Sequence, residues 1–270
     1  MALKDITLGQ YFPGDTPIHR LDPRTKILLT IFYIVALFMA DFLLTYTLVF
    51  LALVTGIALS RIPPKTILRG MKPVVFVVII TAILNLFYTP GVPIVQFWIF
   101  QITVEGIWAA FFMVVRILML ITGTFLLTYT TSPILLTDGI ESLLSPLKKI
   151  RVPVHELAMM MSIALRFIPT LIEETDKIMN AQKARGAQLD TGKMTDRVKA
   201  LVPVLIPLFI SAFRRADELA MAMECRCYRG GDGRTRLKVL RCEKQDYIDL
   251  AVCIACFAVI LASRLMFPNF

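Results

Sequence analysis

Few residues in this chain are of types that carry chemistry. The two histidines, His19 and His155, have no metal-ligand spacing around them and read as structural or surface residues. Cys253-x-x-Cys256 has the spacing of a metal or redox pair, but it lies in an apolar run, where small cysteines pack as ordinary helix residues. Cys225, Cys227 and Cys242 lie in a basic region and form no disulfide framework. The glycine-rich run "YRGGDGRTR" (228–236) lacks the G-K-[ST] of a phosphate-cradling Walker A loop, so no nucleotide chemistry is expected here. No catalytic residues, metal ligands or cofactor are expected. What remains is arginine, whose planar fork of donors pairs two-pronged with a carboxylate.

Two stretches present it in the same way: "MNAQKARGAQ" (179–188) and "MAMECRCYRG" (221–230). With Asp176 set against Asp217, Ile178 meets Leu219, Ala181 meets Ala222 and Arg185 meets Arg226, giving D-x-[IL]-x-x-A-x-x-x-R. The upstream "IP" pairs at 168–169 and 206–207 fall out of this register, so the likeness covers only the last helical turns. The pattern is helical: Phe213, Ala216, Ala220, Met223 and Cys227 recur at spacings of three and four and line one face. Ala181 precedes Arg185 by four, which puts a small residue on the arginine's side and lets a neighbouring surface approach. A basic residue favours the last turn of any helix, and Gly186 is an ordinary helix stop. Recurrence in register over ten positions argues for more than that.

These helix ends sit in an oily chain. Hydrophobic residues make up 57% and charged residues 18% of the 270, against about 25% charged in ordinary soluble domains, so a multi-pass membrane protein is indicated. Two apolar stretches over 26–60 split at "ADF", with Asp41 at the turn; 73–88, about 106–130 and 246–267 complete five. Between 88 and 106, "TPGVP" and "QFWIFQITV" read as a turn and an interfacial aromatic segment. No cleavable signal peptide is expected, because the first 25 residues are turn-rich and charged. Lys4, Arg20, Arg24 and Lys26 precede the first span, and Arg61, Lys65, Arg69 and Lys72 fill the second loop, whereas 89–105 holds no Lys or Arg. The positive-inside rule therefore puts the N-terminus, 61–72 and 131–245 in the cytoplasm, and the C-terminus outside.

The expected architecture is an all-α membrane protein with about five transmembrane helices and a helical cytoplasmic domain inserted before the last span. Its parts are 1–130 (N-terminal segment and four spans), 131–245 (cytoplasmic domain) and 246–270 (last span). Residues 131–245 carry +6 of the net +9. Within them, 157–172 and 198–213 could be two further spans, but both are short and proline-broken. The segment between would then sit outside with Lys177, Lys183, Arg185, Lys193 and Arg197. Helices lying at the membrane surface are the better reading. The basic loop 61–72 and the tail Arg234, Arg236, Lys238 and Arg241 suit anionic lipid head groups, and the oily spans argue against nucleic acid. Arg116, inside the fourth span, is a functional candidate by position, with a helix-interface partner such as Glu105 or a backbone carbonyl as the plainer account. "AMMMSIALRF" (158–167), with Met221 and Met223, offers an adaptable surface for varied partners.

"ARG" (184–186) and "CRC" (225–227) resemble the paired x-Arg-x motifs of the transmembrane T component of energy-coupling factor transporters. "YFPGDTPIHRLDPRTK" (11–26) and "AMECRCYRGG" (222–231) are similar to that family's entry segment and second coupling region, so the resemblance runs over nearly the whole chain. Cys225 stands where Ala is commoner, and it is still small. The resemblance implies a non-catalytic subunit that joins two ATP-binding-cassette ATPases to a substrate-binding membrane subunit for vitamin or micronutrient uptake. Ala184, Arg185, Gly186 and Cys225, Arg226, Cys227 would dock the ATPases, and Met159, Met160 and Met161 would meet the substrate-binding subunit. The alternatives are a self-contained secondary transporter or channel, which would show facing polar groups and broken helices at midplane, and an intramembrane enzyme, which would show a catalytic pair inside the spans.

Overall fold

The structure, a computed structural model, describes residues 11–40, 43–91, 93–97, 100–187, 194–231, 240 and 242–266. It divides into two compact units: residues 9–140 with 240–270, and residues 1–8 with 141–239.

The first unit is a helical bundle. After a short α1 (Pro17–Arg20), α2 (Pro23–Met39) begins where Asp22 caps the backbone amide of Arg24 at 2.9 Å and Pro23 supplies a pre-set first helical residue. Then come α3 (Leu43–Ser60), α4 (Pro64–Met71), a 3₁₀ turn (Lys72–Val74), α5 (Val75–Tyr88), α6 (Val104–Thr130) and, after the second unit, α10 (Lys244–Met266). The helix break between Met39 and Leu43 falls where the sequence put it; Asp41 itself lies outside the described residues. The segment expected to be interfacial contains an antiparallel hairpin, β1 (Pro93–Phe97) with β2 (Phe100–Thr103). The apolar/polar alternation of "FQIT" and the β-branched Ile94 and Val95 suit a two-stranded ribbon.

Its core gathers Leu37, Ala40, Tyr46, Val49, Leu53, Met119 and Ile260 from α2, α3, α6 and α10. Small residues let the helices close up. A side chain at Gly123 of α6 would run into the Tyr33 ring of α2, whose hydroxyl donates to the Met119 carbonyl at 2.9 Å. The threonine hydroxyls on α6 are satisfied within the helix: Thr122, Thr124, Thr128 and Thr130 each donate to a carbonyl four residues back. At one end of the bundle the Lys26 ammonium donates to the carbonyls of His19 (3.2 Å) and Thr130 (2.9 Å). Beside it the Asp246 carboxylate accepts from the Asp22 and Glu243 amides at 2.9 and 2.7 Å. The starts of α2 and α10 and the stop of α6 are thus tied by the charged groups of Lys26 and Asp246, which sit at helix ends.

Arg116 has the plainer of its two roles. Its guanidinium donates to the Ala40 carbonyl at 3.1 Å and to the Tyr46 hydroxyl at 2.8 Å, and lies over the rings of Tyr46 and Phe38 at 5.7 and 6.0 Å. Ala40 follows the last residue of α2, so a cation meets the orphan carbonyls at a helix C-terminus inside the apolar layer. At 17 residues α2 is roughly 25 Å long against a hydrocarbon core of about 30 Å, which explains why its end needs such a partner.

Among the described residues, five helical stretches are long and apolar enough to cross a membrane: Leu43–Ser60, Pro64–Tyr88, Val104–Thr130, Val154–Ala184 and Lys244–Arg264. The number is the expected one, but the set differs by one member. The short Pro23–Met39 drops out, and α8 (Val154–Ala184), in the second unit, enters with a mean hydropathy of 1.3 against 2.0 to 2.2 for the others.

The second unit is built on α8 and α9 (Met194–Cys225), preceded by a 3₁₀ segment (Ser145–Ile150). The helix α7 (Pro133–Leu144) runs across the boundary between the units. The two long helices pack antiparallel. Near one end Gln182 donates to the Pro203 carbonyl (3.3 Å). At the middle Glu174 accepts from Ser211 and from Arg215 (3.0 Å). Near the other end the Tyr228 hydroxyl donates to the Met159 sulfur (3.1 Å). Pro169, Pro203 and Pro207 lie inside the helices without ending them.

Candidate functional site

Both arginines sit at the same place in the same backbone device. At the end of α8, Gly186 N–H bonds the Lys183 carbonyl (2.9 Å), Ala187 N–H reaches back to Gln182 (3.0 Å), and Gly186 is left-handed at φ 88°. At the end of α9, Cys227 N–H bonds Glu224 (2.8 Å), Tyr228 N–H reaches back to Met223 (3.0 Å), and Cys227 is left-handed at φ 55°. This is the Schellman termination, in which a left-handed residue closes the last turn and satisfies orphan carbonyls. Arg185 and Arg226 are the capping residues, one before the left-handed position, and both are exposed. Glycine takes such a backbone freely; a cysteine does so at a cost of roughly 1 kcal/mol. The sequence register between the two stretches is therefore a register of three-dimensional structure as well.

Because α8 and α9 run antiparallel, the two tips lie at opposite ends of the pair. Arg185 is near the stretch of α9 around Pro203, and Arg226 near the stretch of α8 around Met159. Some 22 residues of α9 separate those levels, roughly 33 Å at about 1.5 Å per residue.

The two ends differ in surroundings. At the Arg226 end a cleft of about 630 Å³ opens between the helices. Met159 and Ile163 of α8 and Leu219 and Met223 of α9 supply apolar lining; Arg166, Arg226 and Arg229 supply three guanidiniums. The loop that carries Arg229 is fixed in place. Tyr228 is tied to Met159, and Gly231 lies so close to the His155 ring that a side chain there would overlap it. The ring is held in turn by Glu141, with Nδ1 3.0 Å from the carboxylate. His155 is thus structural, and so is His19, which is held by Thr16 (2.6 Å) and the Phe12 carbonyl (3.0 Å).

The methionine triplet is split. Met159 is half-buried in the cleft beside Arg226, whereas Met160 and Met161 are exposed at 54% and 48%. On α9, Leu201, Val202, Leu205, Ile206, Phe209, Ile210 and Phe213 form an exposed apolar stripe at helical spacing. Arg166 and Arg229 were not among the expected docking residues. The signal was present: Arg166 lies two turns beyond Met159 on one face, and Arg229 three residues beyond Arg226.

Residues 14–237 match the family model described as "Cobalt transport protein". The chain is similar to proteins named energy-coupling factor transporter transmembrane protein EcfT. That of Clostridium kluyveri is 53% identical over 265 residues, covering 97% of this chain and 98% of the relative. That of Thermosediminibacter oceani is 56% identical over 90% of this chain and 92% of the relative. That of Bacillus subtilis is 48% identical over 88% and 90%.

Proposed function

The chain belongs to the family of energy-coupling factor transporter transmembrane proteins, and from that premise we propose that its two arginine tips each seat one ATP-binding-cassette ATPase. It is a multi-pass membrane protein and a transport subunit of an energy-coupling factor system. On this reading ATP is hydrolysed by the partners, and the chain contributes mechanics: closure of the ATPases moves the α8–α9 pair, and the pair reorients a bound substrate-binding membrane subunit.

The observation that carries the reading is the duplication. Two arginines occupy the same capping position in the same termination, at opposite ends of one antiparallel pair. A structural cap needs no twin, whereas two ATPases present two grooves. The exposed Met160, Met161 and α9 stripe are the natural contact for the substrate-binding subunit, because apolar surface of that extent marks an interaction site. The Lys/Arg bias supports a cytoplasmic N-terminus and cytoplasmic tips, with α8 lying along the membrane; Arg166 and the charged run from Glu173 to Lys177 suit that placement better than a span.

The test is substrate uptake together with ATPase co-purification for Arg185→Ala, Arg226→Ala and the double variant. Losing one member of a desolvated charge pair costs about 2–5 kcal/mol, or roughly 30-fold or more in affinity. Each single variant should couple weakly, and the double should neither retain ATPases nor transport, though still inserted in the membrane. Arg→Lys should restore only part, since an ammonium cannot make the two-pronged contact. A double variant that transports like the parent would reduce both arginines to helix ends.

A further inference from the structure

We infer that the second tip is a seat built from both helices: the cleft beside Arg226 receives an acidic segment of the ATPase, whose carboxylates pair with Arg166 of α8 as well as with Arg226 and Arg229. This rests on the reading that Arg226 docks an ATPase, and extends it to a residue sixty positions away in sequence.

Three observations carry it. The first is charge. Three guanidiniums line one cleft, and none of the described residues lining it is Asp or Glu. Cations gathered without a counter-charge repel one another, and a concave surface of one sign concentrates the field on an incoming anion. The second is shape and floor. About 630 Å³ is room for several side chains, and the floor of Met159, Ile163, Leu219 and Met223 is apolar. The occupant must therefore be amphipathic, with carboxylates toward the arginines and an apolar side chain between the helices. The third is rigidity. Arg166 stands on a continuous helix, Arg226 on a closed helix end, and Arg229 on a loop pinned through Tyr228 and Gly231. The three cations are presented without a flexible loop to order first, which lowers the cost of binding.

A peptide with two or three carboxylates matches this arrangement better than a phospholipid head group, whose single phosphodiester meets three guanidiniums. The occupant also bridges α8 and α9. Its arrival fixes the gap between the helices, so an ATPase that shifts in its seat changes how the pair is splayed, not only where its tip lies.

The experiment measures ATPase affinity for the full chain in nanodiscs, comparing Arg166→Glu, Arg226→Ala and, as a charge control on α9 outside the cleft, Arg214→Glu. Arg166 is exposed, so its reversal leaves the fold intact. Arg166→Glu should weaken ATPase binding roughly 30-fold or more, comparable to Arg226→Ala, while Arg214→Glu binds like the parent. The loss should be the same in phosphatidylcholine alone and with phosphatidylglycerol added. If Arg166→Glu binds normally while Arg226→Ala does not, the two-helix seat is overturned and the tip reading stands. If both bind normally, the tip reading falls and takes the seat with it. An Arg166 effect seen only with phosphatidylglycerol assigns the cleft to lipid and overturns the seat, as does an equal loss in Arg214→Glu.

Discussion

The two compact units treat their apolar residues in opposite ways. In residues 9–140 with 240–270, side chains from four helices close on one another until Leu37 and Ile260 are 0% and 1% exposed. The large apolar residues left outside, such as Phe76 and Leu44, are the outer shell that a lipid-embedded bundle must have. In residues 141–239 the buried hydrophobics among the described residues are Val154, Ala158 and Val204, while the α9 stripe stands open. The first unit is a shell around a core. The second is largely surface, held by its backbone and by a few polar ties such as Glu174 with Ser211 and Arg215. A unit of that kind gains stability from what binds it.

That contrast can be broken by substitutions that belong to one unit and should be silent in the other's assay. The largest effect is expected from Gly123→Leu, which drives a side chain against a Tyr33 ring that cannot swing away while its hydroxyl holds the Met119 carbonyl. Overpacking of this kind costs about 1–3 kcal/mol or more, so the thermal midpoint in detergent should fall while the surviving folded fraction binds ATPases normally. A midpoint equal to the parent's would mean that the bundle is not held by close packing there. Next comes Gly231→Ala. It pushes the loop off His155, so ATPase affinity should drop by roughly tenfold, about 1.4 kcal/mol, with the midpoint unchanged. A lower midpoint with normal affinity would invert the comparison. The smallest effect sharpens the comparison at the two tips. Cys227→Gly should relieve the left-handed backbone and add about 0.5–1 kcal/mol of local protection, whereas Gly186→Ala should remove about 1 kcal/mol. Hydrogen exchange over 180–187 and 220–231 reads both, and equal signs at the two sites would deny their equivalence.

Much of this was legible beforehand for physical reasons. The break after Met39 shows as an interruption of the apolar run, and the arginine repeat gives both helix ends. Other parts were hidden. The turn at Gly186 is written in its glycine, but the matching turn at Cys227 is not, because a cysteine rarely takes that backbone and only the register with the first copy points to it. The length of α8 was hidden by Pro169, which suggested a broken segment although the helix continues through it. The cleft was least visible of all. Arg166 and Arg226 meet only because α8 and α9 fold back antiparallel, and no local pattern states which of their faces come together. The hairpin was overlooked because two strands of five and four residues are too short for alternation to stand out against aromatic composition.

The antiparallel pair has a further consequence as a beam loaded at both ends. With its tips roughly 33 Å apart, a tilt of about 10° about the midpoint carries each tip some 3 Å, in opposite directions. Equal pushes along one direction only translate such a beam; unequal or opposed pushes rotate it. The pair therefore responds to the difference between what happens at Arg185 and what happens at Arg226, and it separates the common displacement from the torque.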